Sequence, residues 1–283
     1  MGVKKNKDIR LQVPGGETTV LLHTCCAPCS SAIIEAMMKN GITPVIYYCN
    51  PNIYPLEEYE IRKNECTRYA QALGLEIVDA DYDHENWLEA MKGLEGEPER
   101  GGRCLRCFKL RLLRTAQYAA QRGIKVITTT LASSRWKSLD QINEAGSWAC
   151  QQIDSSDGGV GRISAAPLTS GRCSQNIEAV TVPDPNVSEW SVCPAGAVGD
   201  SRLGVDTVPP DGGVIWWDQN WRKNGLQERR LQIIKEYDFY NQLYCGCEFS
   251  MRKEDQSTGI PHTADLTTTT QPSFTDAGMD SLL

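Results

Sequence analysis

The chain has no run of about eighteen apolar residues, so it offers no candidate for a membrane-spanning helix. Its first ten residues, MGVKKNKDIR, are basic but lead into no apolar segment of the kind that directs secretion. A Gly/Ser-rich phosphate loop is also missing. Nucleotide-using enzymes built on parallel sheets place such a loop after the first strand, and here CCAPCSS stands in that position. No internal repeat is visible, and residues 255–283 contain neither Lys nor Arg. These absences argue against a membrane protein, a secreted protein and an ATP-dependent enzyme. The expectation is a soluble cytoplasmic protein with no membrane partner. In a reducing compartment, clustered cysteines serve as metal ligands or redox groups more often than as disulfides. A secreted disulfide framework is the alternative, and the length of the chain and its lack of a signal disfavour it.

What the chain has in quantity is cysteine. Seven of its twelve fall into three tight clusters: Cys25, Cys26 and Cys29 in HTCCAPCS, Cys104 and Cys107 in CLRC, and Cys245 and Cys247 in CGC. Four thiolates suffice for one structural zinc or one iron–sulfur cluster. Seven in three separated clusters point to a compound centre. The other five, Cys49, Cys66, Cys150, Cys173 and Cys193, are isolated and read as buried or incidental thiols.

The formal net charge of −7 is unevenly placed. Residues 153–214 hold eight acidic and three basic side chains, and residues 255–283 hold four acidic ones. Without those two stretches the remainder carries 26 basic and 24 acidic residues, close to neutral. A nucleic-acid partner remains compatible, because local patches decide that interaction.

Apolar runs at 18–25, 42–49, 75–82 and 125–132 read as buried strands. Helical patterns follow them: SSAIIEAMMKNG, LEEYEIRKNECTRYAQALG, residues 84–95 with CLRCFKLRLLRTAQYAAQRG, and SLDQINEAGSWACQQ. This alternation predicts an α/β fold, a Rossmann-like, mostly parallel sheet with helices on both faces. Residues 153–214, rich in Gly, Ser, Pro and Asp, break the pattern and read as an insertion. Pattern resumes at VIWWDQNW, and the helix LQERRLQIIKEYDFYNQLY delivers the CGC pair. The expected organisation is a flexible N-terminus (1–17), one catalytic domain (18–152 plus 215–252), the insertion, and a disordered tail (253–283).

In open α/β sheets, ligands sit beyond the carboxyl ends of the strands. Cys25, Cys26 and Cys29 lie there, where strand one turns into a helix. Cys104 and Cys107 open another helix. Helix N-termini favour thiolate over thiol, and thiolate is the form that binds iron and zinc. Taken singly, the clusters have plainer readings: CC-x-x-C as a redox dithiol, C-x-x-C as a zinc half-site, CGC as a tight loop with buried thiols.

HTCCAPCS after the first strand, YYCNPNIYPLEEYEIRK, RCLRCFKLRLLRTA, TTLASSRWKSLDQIN and NQLYCGCEFS together resemble the QueH family of epoxyqueuosine reductases. The similarity spans roughly 18–152 and 215–252. It implies a fold of the adenine-nucleotide hydrolase-like Rossmann group. It also implies removal of the epoxide oxygen from epoxyqueuosine in the tRNA anticodon, the last step of queuosine synthesis. The implied cofactors are a [4Fe–4S] cluster and a mononuclear iron held by two cysteines and an aspartate, with neither ATP nor cobalamin. Four ligands and three account for the seven clustered cysteines, though spacing does not say which sulfur serves which centre. The chain departs from the pattern in three places. Cys29 stands where some members carry Asp, Cys49 interrupts a YNPN stretch, and residues 153–214 are additional.

On this reading the seven cysteines are the metal ligands, and an unidentified electron donor completes the system. Cys29, Tyr48 and His23 are the catalytic candidates, with Tyr47, Tyr54 and water as further proton sources. His23 precedes Cys25 by two residues and so shares its side of the strand; its alternative is a packing histidine. Asn50, Asn52, Tyr54, Arg103, Arg106, Arg135, Lys137 and Arg222 are the substrate-binding candidates. They follow strands at the active edge or belong to basic–aromatic groups, including Arg135–Trp136–Lys137 and the group from Trp216 to Lys223, that suit phosphates and unstacked bases. Two other functions remain open: a tRNA-thiolating iron–sulfur protein, disfavoured by the missing nucleotide loop, and a zinc-binding structural module.

Overall fold

The computed structural model describes residues 9–80, 82–156, 213–240, 242 and 244–251. Five strands, β1 (Thr19–His23), β2 (Thr43–Tyr48), β3 (Ile77–Asp79), β4 (Val126–Thr129) and β5 (Ile215–Trp216), form one sheet in the order β3-β2-β1-β4-β5. Every pairing is parallel, as the alternation of strand and helix signals requires. The inner strands are apolar because both faces are covered. Val20, Leu21, Leu22, Val126 and Ile127 have no exposed surface, and each large aliphatic side chain so buried contributes about 1.5–3 kcal/mol.

Helices α1 (Ala27–Lys39), α2 (Leu56–Ala72), α3 (His84–Met91), α4 (Gly102–Gln121), α5 (Leu139–Ser156) and α6 (Leu226–Glu236) complete the fold. α1 packs against α2 and α6, and α4 packs against α5 and α3. Gly146 permits the close approach of α5 to β5: a Cβ there would collide with the Trp216 indole. The strand order reverses at β1, which has β2 on one side and β4 on the other. That switch point opens a crevice beyond the carboxyl ends of β1 and β4.

Three boundaries differ from the sequence reading. Residues 9–16, expected within a flexible N-terminus, are tied to the fold. Leu11 N donates to Asn40 Oδ1 at 2.9 Å, and Asn40 Nδ2 donates to Ile9 O at 2.8 Å. α5 runs to Ser156, and Val214 is buried, so both margins of the expected insertion belong to the domain. The rest of that insertion, the tail from 253 and residues 1–8 lie outside the described residues. α6 stops at Glu236, although helical patterning continues to Tyr244. Asp238 turns into the left-handed region (φ 49°), and Tyr237 and Phe239 pack edge-on against Tyr69. This tertiary contact overrides the local pattern and sends the chain across the crevice mouth.

Candidate metal centre

β1 ends at His23, and the chain enters α1 through Cys25 and Cys26. Cys26 caps the helix: its carbonyl accepts from the backbone N–H groups of Cys29 and Ser30, each at 3.2 Å. This turn brings Cys25, Cys26 and Cys29 together, with all three sulfurs within 4.8 Å of one another. The Cys25 and Cys26 sulfurs are 3.8 Å apart. A tetrahedral ion with metal–sulfur bonds of about 2.3 Å holds its sulfurs at about that separation. The trio is therefore a group able to hold a metal ion, and its geometry suits ligands of a single ion.

The other four cysteines form a second group. Cys104 and Cys107 lie at the start of α4, and Cys107 shares an apolar cluster with Cys247, Trp87 and Met91. Burial raises the Cys104 pKa, as do the neighbouring Cys107 and Cys245. Burial, with Cys107 and Cys245 beside it, pushes the Cys247 thiol up to about 12. Thiols so crowded resist ionising together unless a cation enters among them. In the trio, hydrogen bonds from Cys26 and Cys29, assisted by Lys137, hold Cys25 well below the usual thiol range. Burial pushes Cys26 up.

One cavity of about 430 Å³ joins the two groups, lined by Cys25, Cys29, Cys104, Cys107, Cys245 and Cys247. Among the described residues the ten cysteines are all unbridged.

The CGC loop reaches this cavity because of a buried clamp. Arg62 and Glu58 on α2 form an ion pair at 2.6 Å, with at most 2% of either side chain exposed. The guanidinium donates to the carbonyls of Cys245 (3.3 Å) and Tyr244 (3.2 Å) and lies over the Tyr244 ring. Gly246 O accepts from Tyr54 N at 2.8 Å. Gly246 itself sits at φ 105°, and a Cβ there would press on Arg62 Nη1 and Ile53 Cγ1 at 3.0 Å.

The cavity wall is mostly cationic: six Arg and Lys side chains line it against one carboxylate, Glu99, among the described residues, and of the six Arg62 is paired with Glu58. Among the described residues, Arg100, Arg103, Arg111, Lys137 and Arg230 line it without a carboxylate inside ion-pairing distance. Arg111 is the most enclosed, only 2% exposed. Its Nε donates to Cys49 O at 3.1 Å, Nη2 donates to Asn50 Oδ1, and Nη1 lies 4.0 Å from Cys107 Sγ. A buried guanidinium needs a counter-charge. Burial opposes its charge, and the nearby sulfurs of Cys107, Cys25 and Cys49, able to carry negative charge as thiolates, more than offset that and raise its pKa. Burial likewise disfavours the Lys137 ammonium, and Cys245, Cys25 and Cys29 more than offset it.

Of the substrate-binding candidates, Asn50, Asn52, Arg103 and Lys137 line the cavity; Tyr54, Arg106, Arg135 and Arg222 do not. Arg103 is buried, and its Nη1 donates to the carbonyls of Leu94, Glu95 and Glu97. Arg106 donates to Ala90 O at 3.1 Å. Arg222 donates to Lys137 O at 2.7 Å, which makes it a brace for the cavity wall. Trp217 and Trp221, read from sequence as part of an RNA-facing group, are core residues packed against each other.

His23 and Tyr48 do not reach the cavity. His23 is fully buried, with Nε2 donating to Cys49 O at 3.0 Å and Nδ1 2.7 Å from Thr129 Oγ1. Burial and the nearby Arg111 lower its pKa to about 3, so the imidazole is neutral and Nδ1 accepts from the Thr129 hydroxyl. Tyr48 OH donates to Tyr59 O at 3.2 Å, and burial raises its pKa well above the usual value. Both occupy packing positions. Sequence reasoning missed Arg62 and Arg230. The only local signal for either of them is the Glu58–Arg62 spacing of four along a helix.

A family model described as "Epoxyqueuosine reductase QueH" matches residues 20–156 and 202–253, leaving 157–201 unmatched between them. Among curated relatives, the epoxyqueuosine reductase QueH of Haemophilus influenzae is 37% identical over 247 residues, covering 87% of this chain and 77% of the relative. That of Histophilus somni is 37% identical over 243 residues (86% and 76% coverage), and that of Acinetobacter baylyi is 36% identical over 244 (86% and 85%). With a Rossmann-like parallel sheet that gathers its clustered cysteines at the switch point, and with matches extending over most of its length, the chain belongs to the epoxyqueuosine reductase QueH family.

Proposed function

We propose that this protein reduces the epoxide of epoxyqueuosine in tRNA, the final step of queuosine synthesis. The observation that carries the reading is one cavity lined by six clustered cysteines and by a wall in which Arg and Lys outnumber the one carboxylate, Glu99. Cys104, Cys107, Cys245 and Cys247 are assigned to a [4Fe–4S] cluster, and Cys25, Cys26 and Cys29 to a single iron. The close sulfur spacing of the trio supports this division, since thiolates of a cubane bind different irons. Bound in this way, iron would supply electrons and a Lewis-acidic position for the epoxide oxygen.

Removing an epoxide oxygen breaks both of its C–O bonds and consumes two electrons and two protons, releasing water. The protein's own part is to bind the nucleotide, carry the cationic charge and hold protons near the departing oxygen. Lys137 Nζ is assigned as the proton-holding donor at the cavity wall, in place of Tyr48 and His23. Arg111 offsets the negative charge of the thiolates on both sides. Asn50 is positioned by Arg111 and by its own Nδ2 donating to Thr24 O at 2.9 Å. Asn52 is 2% exposed, and its Oδ1 has no partner among the described residues, so it favours a polar ligand beside it. The nucleotide arrives on tRNA, and a separate donor supplies the electrons. Among the described residues no helix is long and apolar enough to cross a membrane.

The test is anaerobic incubation of iron-loaded protein with reductant and tRNA carrying epoxyqueuosine, followed by nucleoside mass analysis. Conversion to queuosine is expected. Its absence with fully loaded protein would overturn the assignment.

A further inference from the structure

We infer that the Trp136 indole is a stacking platform for an unpaired base of the RNA loop entering the cavity. The inference rests on the tRNA reading above and names the residue that would hold a neighbouring base. Trp136 is 77% exposed, the highest among the large hydrophobic side chains described, yet it lines the cavity mouth. A single exposed aromatic on a surface needs no explanation. The scaffold beneath this one does.

The segment from Ser133 to Lys137 is fastened at successive backbone atoms. Gln227 Nε2 donates to Ser133 O at 3.2 Å. Arg100 donates from Nη2 to Arg135 O and from Nε to Trp136 O, both at 2.9 Å. Arg222 donates to Lys137 O at 2.7 Å. Trp136 N donates back to Ser134 Oγ at 3.3 Å. Arg100 holds this arrangement from a left-handed backbone (φ 67°), which costs a non-glycine residue energy, and Gln141 Nε2 fixes its carbonyl at 2.8 Å. A strained residue and four donors therefore immobilise a short loop whose largest side chain faces solvent. That rigidity lowers the entropy lost when a flat ligand stacks on the ring.

Charge points to the class of ligand. Arg100, Lys137 and Arg230 share the cavity lining with Trp136 and outnumber its one carboxylate, Glu99, which is not within ion-pairing distance of any of them. An exposed indole beside unpaired cations suits a π-face attached to a phosphate backbone. A duplex hides its base faces, so the platform selects a single-stranded loop.

The test is binding of a labelled anticodon stem–loop RNA to the holoenzyme, followed by fluorescence anisotropy. A continuous duplex of the same stem sequence serves as the second probe. Trp136→Ala is expected to weaken stem–loop binding by about 5- to 150-fold, the range for loss of one base–aromatic stack. Trp136→Phe should recover most of that loss, and duplex binding should be unchanged. Stem–loop affinity within about twofold of wild type for Trp136→Ala, well below one lost stack, would overturn the inference. So would an equal loss on the duplex. Wild-type protein that binds neither RNA would overturn the tRNA reading itself, and this inference with it.

Discussion

Glu58→Gln removes one negative charge from a fully enclosed pair and leaves Arg62 without its counter-ion. The guanidinium is 2.6 Å from the carboxylate, and at most 2% of either side chain reaches solvent. Breaking such a pair from one side costs about 3–5 kcal/mol, a large part of the about 5–15 kcal/mol that stabilises a typical domain. Tyr240 OH also donates to Glu58 at 3.0 Å, so the same substitution loosens the segment after α6. Denaturant unfolding of metal-free protein would read the stability loss, and iron content after reconstitution would read the position of the CGC loop. The double variant Glu58→Leu/Arg62→Met separates the two effects. Replacing a buried ion pair with apolar side chains is often neutral or stabilising, so stability should return to within about 1 kcal/mol of wild type. The carbonyls of Tyr244 and Cys245 would still lack their donors, and iron content should stay low. A single variant as stable as wild type, or a double variant with full iron content, would refute the clamp.

Two further perturbations test the centre itself. Cys29→Ala should lower iron stoichiometry and abolish turnover while leaving most of the cluster absorption, because the trio and the quartet are separate groups; unchanged iron and activity would remove Cys29 from the ligand set. Arg111→Gln deletes a cation 4.0 Å from Cys107 Sγ, where one unit charge attracts another by about 4 kcal/mol at an effective dielectric constant of about 20. Reduction adds negative charge, so the potential should fall, by about 170 mV at most for one electron, while Arg111→Lys retains most of the wild-type value. Equal potentials in the Gln and wild-type proteins would show that Arg111 serves only as a hydrogen-bond donor.

The sheet was legible because its inner strands are nearly continuous apolar runs, which parallel strands buried on both faces must be. The thiol clusters were legible because soft ligands so close together have few other uses. The cationic wall was less so. Arg62 and Arg230 reach the cavity from helices far apart in sequence, and no local pattern marks where a long side chain ends. The period-two argument for His23 failed because β1 ends at that residue. Beyond it Cys25 belongs to the turn, and the imidazole faces Thr129 and the Cys49 carbonyl. The end of α6 was hidden for a related reason: the aromatic contacts that stop it lie on α2.

The central claim is that two adjoining thiolate groups hold two different iron sites. Combined iron, zinc and acid-labile sulfide analysis of the anaerobically purified protein tests it most directly. Iron exceeding labile sulfide by about one per chain, with negligible zinc, is the result the two-group geometry predicts. Equal iron and sulfide, or a colourless protein with stoichiometric zinc, would contradict it.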